Sequence, residues 1–482
     1  MRTSRWILIV VLARCSGSPE RSKADPCSAV GDQIVRLALR DGRSAMTPML
    51  GNIGRGAARE CRADKWSEAT RQCLLTARTA AEAMRRCPIT WGPGKKRPAR
   101  AKPPAPLPCT NASWDGRYIK CLRALKCGNR PKSVEFSPDG KQLWVALHYD
   151  RPAVEIFDTT TWTLLGAVDL GRYGAVELAF SPDGKRAYAS QYETASVFEI
   201  DRASLRVGRQ LRTDSKASKV IALSPDGSRI YVANWSGHNV SEFDARSGKR
   251  LRNLPVDGIP RGLFVTDDQR SLYVASFSPG RLYKIDLATG ATKTVYAGGR
   301  AIRHIVGDRS SNTLYVSDLG NSHLYKVNMA TDDVRVLATA NPKTNTIDLS
   351  PDGRVLFASN RGRNNPVSFL YPGPEWGSIE AFDTITGQRL DTVIAGNQTT
   401  GLSVSPDGHL LAVSDFLDNR INVYRLADSK TMLHGGGPSH SAELEKRHFS
   451  PDEPRAPHDP DYWDRLPAPV PPFIPAAAGT SH

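Results

Sequence analysis

A seven-bladed β-propeller, an all-β ring of four-stranded sheets, is the fold class that three observations on this 482-residue sequence predict. The first is a repeat. Phe136-Ser-Pro-Asp-Gly140, followed by Lys-Gln-Leu-Trp-Val-Ala, returns in related copies that begin at Ser181, Ser224, Ser350 and Ser405. Degenerate copies at Thr266 and Asp308 align through the Leu-Tyr-Val that follows each. The seven anchors at 137, 181, 224, 266, 308, 350 and 405 are 44, 43, 42, 42, 42 and 55 residues apart, a period that marks stacked or radial supersecondary units. The second is the pattern inside a unit: four alternating runs rich in β-branched and aromatic residues, which is the content of one propeller blade and carries no helical period. The third is complementarity between the ends. The last unit stops after Arg420-Ile-Asn-Val-Tyr-Arg425 without an outer strand, while Arg117-Tyr-Ile-Lys-Cys-Leu-Arg-Ala-Leu125 precedes the first unit without inner strands. Residues 117–125 are therefore expected to close the last blade, leaving no open edge within the propeller at 117–426.

In the five closest copies, Pro-Asp-Gly supplies a fixed φ and then left-handed tolerance, the chemistry of a tight turn between the first and second strands. Asp158, Asp201, Asp244, Asp286, Asn328 and Asp383 recur at the end of the third strand, where a short acceptor side chain closes the next turn on the backbone. Ile230-Tyr-Val-Ala-Asn234, Leu272-Tyr-Val-Ala-Ser276 and Leu314-Tyr-Val-Ser-Asp318 each follow that first turn. In these residues the chain resembles the YVTN-type seven-bladed β-propellers of bacterial exported proteins. The resemblance covers about 300 residues and implies a periplasmic or surface binding module, mostly without established catalysis.

Ahead of the propeller, Met1-Arg-Thr-Ser-Arg5 and the apolar run Trp6 to Ala13 read as an export signal within 1–15, too short to span a bilayer. Leu12-Ala-Arg-Cys15 is similar to a lipobox, in which Cys15 would carry lipid and tether the protein to a membrane. Arg14 departs from that pattern, and cleavage to a soluble exported protein is the competing reading. Seven further cysteines, at 27, 61, 73, 87, 109, 121 and 127, cluster before the blades. In an exported segment such clustering points to disulfides. Without a Cys-x-x-Cys pair, metal is the weaker reading. Residues 27–90 carry helical spacing (Ile34, Leu37 and Leu39; Ala69, Cys73, Leu74, Ala77, Ala80 and Ala81) with capping residues at Asp64 to Ser67. They read as a small helical module, stapled because so short a core needs it. A Pro-rich basic linker at 91–108 follows. The tail at 427–482, rich in Pro, His and charge, is expected to be disordered.

Because propeller strands alternate in direction, the loops between blades share one face with the loops joining second to third strands. Five residues before each anchor stand Lys132, Val176, Lys219, Arg261, Arg303, Asn345 and Thr400, at the start of the innermost strands. Four of these seven are cationic, and equivalent positions on a ring converge, so a funnel of positive potential is expected to favour an anion. The same face should receive Tyr149, Trp235 and the one large insertion, 361–378, with Arg361, Arg363, Tyr371 and Trp376. The net charge of +16 gives a plainer alternative, scattered surface cations with aromatics filling gaps between blades. His434-Gly-Gly-Gly437 lacks a Gly-x-Ser-x-Gly elbow and reads as a flexible joint. No Walker, zincin or dinucleotide fingerprint occurs.

The preferred expectation is a noncatalytic cell-envelope binding or scaffold propeller that docks an anionic ligand, an envelope protein or a polysaccharide. It is expected to be a monomer with no cofactor, metal or nucleic-acid partner. The alternative is a lactonase-like or other hydrolytic propeller, for which His304 beside Arg303 is the available pair.

Overall fold

The computed structural model describes residues 26–40, 58, 61–62, 66–78, 87, 115–149, 152–365, 368–373 and 375–435. The export signal with Cys15, the linker at 91–108 and the tail beyond 435 lie outside them.

Among the described residues ahead of the blades are the helices α1 (Pro26–Arg40) and α2 (Glu68–Thr76). Ser67 caps α2, its Oγ accepting from the Thr70 amide at 3.2 Å. Two disulfides, Cys27–Cys61 and Cys73–Cys87, staple this module around Val30, Ile34, Trp66 and Leu74. The apolar face differs from the expected one at Ala69, which is exposed, whereas Thr70 is buried because its hydroxyl bonds Ser67 Oγ at 2.9 Å.

The closing strand is β1 (Ile119–Lys126). Blade one holds β2 (Pro131–Phe136), β3 (Gln142–Leu147), β4 (Val154–Asp158) and β5 (Leu164–Val168). Blade two holds β6 (Glu177–Phe180), β7 (Arg186–Gln191), β8 (Ser196–Asp201) and β9 (Arg206–Arg212). Blade three holds β10 (Ser218–Leu223), β11 (Arg229–Asn234), β12 (Asn239–Asp244) and β13 (Arg250–Pro255). Blade four holds β14 (Pro260–Val265), β15 (Ser271–Ser276), β16 (Arg281–Asp286) and β17 (Thr292–Tyr296). Blade five holds β18 (Ile302–Asp308), β19 (Thr313–Asp318), β20 (His323–Asn328) and β21 (Val334–Thr339). Blade six holds β22 (Thr344–Leu349), β23 (Val355–Asn360), β24 (Ser378–Asp383) and β25 (Arg389–Ile394). Blade seven holds β26 (Thr399–Val404), β27 (Leu410–Asp415) and β28 (Arg420–Leu426), with β1 as its outer strand.

The all-β, seven-bladed architecture is thus the one predicted, including the closure. β1 runs antiparallel to β28, from Ile119 opposite Leu426 to Lys126 opposite Arg420. The recurring turns work as the repeat implied. Ser137 Oγ donates to Asp139 Oδ1 at 2.6 Å, and Gly140 takes φ +70°, a left-handed value that a side chain disfavours. At the end of the third strand, beside that turn, Asp158 Oδ1 accepts from the Thr160 and Thr161 amides at 2.9 and 2.6 Å. Asp201, Asp244, Asp286, Asn328 and Asp383 accept in the same way. The core lies between blades. Trp144 and Ile156 of blade one, for example, pack with Leu178, Ala189 and Phe198 of blade two.

Three features go beyond the sequence reading. Asp391 of β25, fully buried, accepts from the amides of Arg117, Tyr118 and Ile119 at 2.9, 2.6 and 2.9 Å, and so holds the start of the closing strand. Gly116 is required beside it, since a Cβ there would lie 2.4 Å from Asp391 Oδ2. Second, order runs past the boundary expected at 427. Asp428 caps a short helix, α3 (Ser429–His434), and Met432 is buried in the cluster that holds Tyr118 and Tyr424, which fixes this turn on the propeller. Gly435 is therefore a helix cap; Gly436 and Gly437 are not among the described residues. Third, Tyr371 of the blade-six insertion packs into the core of the stapled module. The module and that insertion are in contact.

Candidate functional site: a cationic ring in the propeller channel

The innermost strands are interrupted at one level. The ladder to the second strand shifts register between Pro131 and Ser133, Ser218 and Ile221, Pro260 and Gly262, Ile302 and Ile305, Thr344 and Ile347, and Thr399 and Leu402. Lys132, Lys219, Arg261, Arg303, Asn345 and Thr400 each fall inside such an interval. A bulge leaves a residue unpaired, bends the strand and re-aims the side chain. Six blades thus offer the same exceptional position to the central axis. Neighbouring blades are also tied there: Ser317 Oγ donates to the Asn345 carbonyl at 2.7 Å, and Ser359 Oγ donates to the Thr400 carbonyl at 2.9 Å.

The charges meet. Burial first, and then Arg303, Arg361, Lys219 and Arg261, push the Lys132 ammonium well below the usual lysine range. Lys219 is pushed well below in the same way, by burial and then by Arg261 and Arg303, with Glu177 opposing. Arg303 is lowered by burial and by Arg261 and Arg361, and burial brings Arg361 down to about 10. A guanidinium does not release its proton near neutral pH, so for the arginines this repulsion is carried as a cost to the fold.

Few partners offset that cost. Glu177 accepts from Arg261 Nη1 at 3.1 Å. Burial raises Glu177, but Arg261, His304 and Arg303 outweigh it and hold the carboxylate below its usual range. Arg361 Nη2 donates to Gln398 Oε1, Gln398 Nε2 to the Phe369 carbonyl, and the guanidinium lies 5.6 Å from the Phe369 ring. Among the described residues Arg303 Nε and Nη2, Arg261 Nε, Arg361 Nε and both amide atoms of Asn345 have no hydrogen-bond partner, although these four residues are 0–8% exposed. Unmet buried donors are uncommon because each costs about 1–3 kcal/mol. Here they gather at one level of one channel.

Aromatic rings flank the lysines. Lys219 Nζ lies 4.0 Å from the Trp235 ring and 5.8 Å from Tyr192, and Lys132 Nζ lies 4.8 Å from Phe416. Arg130, which sequence reasoning passed over, lies 5.4 Å from Tyr149 and 5.5 Å from Phe416. Of the predicted site residues, then, Lys132, Lys219, Arg261, Arg303 and Arg361 come together, with Trp235 and Tyr149 as flanking rings. The insertion contributes less than expected. Arg363 pairs with Glu375 at 2.5 Å, Trp376 is buried, and Tyr371 belongs to the stapled module's core, because so long a loop closes on itself and on its neighbour before it reaches a ligand.

His304 is placed beside the ring without the partner that base catalysis requires. Burial, and the charges of Arg261 and Arg303 against the opposing pull of Glu177, bring its imidazole down to about 4. Among the described residues its ring makes no hydrogen bond to a carboxylate, since Glu177 is engaged by Arg261. The native imidazole refuses a proton that the unfolded chain takes up below about 6.5. It therefore costs stability as pH falls from about 6.5 through about 4. His304→Gln should remove about 3 kcal/mol of that decline, read as the difference between the two proteins' urea midpoints across the window. Equal pH dependence in both would contradict this. The difference is needed because Asp348, raised by burial to about 6, acts with the opposite sign.

No protein-family model matches the chain. Antigen Lp49 of Leptospira interrogans serogroup Icterohaemorrhagiae serovar copenhageni is 33% identical to it over 325 residues, which cover 64% of this chain and 70% of the antigen. At that identity and coverage, the chain belongs to the family of this leptospiral antigen.

Proposed function

We propose that this is an exported, noncatalytic β-propeller of the YVTN type that recognises an anionic partner at its loop face and holds the anionic group in the channel ring. The observation that carries this reading is Arg303: 4% exposed, among like charges, with two guanidinium nitrogens that have no partner among the described residues. A planar fork of donors matches a carboxylate or phosphate, and an anion there would offset a cost the apo fold otherwise bears alone. The flanking rings of Trp235 and Tyr149 add flat surface on which a small molecule, a peptide end or a sugar chain packs.

Isothermal titration of the mature protein with orthophosphate and with citrate tests the reading. Binding is expected, lost in Lys219→Met, and accompanied by a rise of the depressed Lys219 ammonium toward its ordinary range, since an arriving anion favours the charged form. Affinity should fall as pH rises above the depressed lysine range. No heat from either anion would defeat the proposal.

Export rests on the basic start, the short apolar run and the disulfides, which persist in oxidising compartments. The relative's name as an antigen accords with it. A lipid on Cys15 would tether the chain to the cell envelope. Mass spectrometry of the mature amino terminus is expected to find Cys15 first and acylated. An unprocessed Met1 would sink export, and an unmodified cysteine the tether.

A further inference from the structure

Beneath the cationic ring, further along the innermost strands, stand two carboxyl side chains. Glu135 on β2 and Asp348 on β22 stand two residues before their anchors, three residues along the strand from Lys132 and Asn345. At about 3.3 Å per residue the two layers are about 10 Å apart. The carboxyls flank β26 from either side: Ser403 Oγ donates to Glu135 Oε2 at 3.3 Å, and the Val404 amide donates to Asp348 Oδ2 at 2.8 Å. Both side chains are half-buried, and among the described residues neither pairs with a cation. Asn345, on the same strand as Asp348, is fully buried, and among the described residues neither its amide donor nor its amide acceptor has a partner. A bare inorganic anion satisfies a donor and leaves that acceptor, and the acidic layer, without a complement.

We propose that the channel takes an amphoteric ligand, with a carboxylate or phosphate in the ring and a protonated amine, within about 10 Å of it, between Glu135 and Asp348. A short peptide, or an amino acid with a second amine on its side chain, has this chemistry. The proposal rests on the anion-binding reading and adds polarity to it: the ring alone attracts any anion, whereas the two layers together orient one end of the ligand inward. A polyanion threaded to this depth would meet like charge. The two carboxyls already disfavour each other, as burial and then Asp348 and Glu177 hold Glu135 well above the usual carboxyl range. An ammonium between them would reverse that.

The test compares hexanoate with 6-aminohexanoate, chains of one length that differ in the terminal amine, by isothermal titration into the mature protein. The amine should tighten binding about tenfold or more, the effect of one charge-assisted hydrogen bond. In the Glu135→Gln/Asp348→Asn variant the two probes should bind alike. Equal affinities in the wild type, or a preference that survives in the variant, would overturn the proposal while hexanoate binding keeps the anion site. Failure of hexanoate and orthophosphate together would instead remove the anion site itself. Should the double variant not melt cooperatively, the wild-type comparison decides alone.

Discussion

Arg303→Met should make the protein more stable by about 1–4 kcal/mol, the gain seen when buried charge gives way to apolar volume, while abolishing orthophosphate binding. The native side chain is 4% exposed, carries two unmet nitrogens and is repelled by Arg261 and Arg361. Methionine removes the charge and its unmet donors and adapts to the space the stem leaves. In most buried positions the loss of an ion destabilises because a partner is orphaned. Here Glu177 is satisfied by Arg261, so no partner is left behind. Thermal and urea unfolding check the sign. A less stable variant would mean that Arg303 is a structural pillar rather than a ligand group. Saturating phosphate should narrow the gap by raising wild-type stability, and it should not move the variant.

This opposition between stability and binding bears on what a sequence reveals. The ring was legible because a repeat converts spacing into symmetry: a residue five before one anchor sits level with the residue five before every other. Counting two before each anchor finds Glu135 and Asp348 by the same rule. The bulges were not legible. Nothing in Pro131-Lys-Ser133 or Ile302-Arg-His-Ile305 announces a ladder shift, because it depends on pairing to the second strand. Nor was the fate of the insertion visible. Tyr371 stands in the insertion expected on the loop face, yet it packs with the stapled module's residues between Cys27 and Cys87, far earlier in the chain, and no local pattern encodes that contact. At α3 the charged composition of the tail suggested disorder, while Asp428 as cap and Met432 as anchor suffice for one ordered turn.

Asp391→Ala should lower the unfolding free energy by about 4 kcal/mol, because the buried carboxylate that serves three amides at the start of the closing strand would vanish and leave them unmet. The amides of Arg117, Tyr118 and Ile119 open the strand that closes the ring. Their failure frays β1 from β28 and exposes an edge. The side chain was not singled out in the sequence, since it lies on β25 of blade six and acts on blade seven. Amide exchange provides the local readout: protection in β1 should fall before protection in blades two to four. Uniform loss across the molecule, or none, would contradict the placement of Asp391 as the latch of the closing strand. Asp391→Asn tests the charge separately, keeping the shape but offering a single acceptor oxygen.

Selenate-soaked crystals read at the selenium absorption edge address the convergence of the ring most directly. One anomalous peak on the channel axis is expected within about 4 Å of the Arg303 and Arg361 guanidinium nitrogens, a hydrogen-bonding separation. A channel without such a peak, with Arg303 turned to a carboxylate elsewhere, would contradict it.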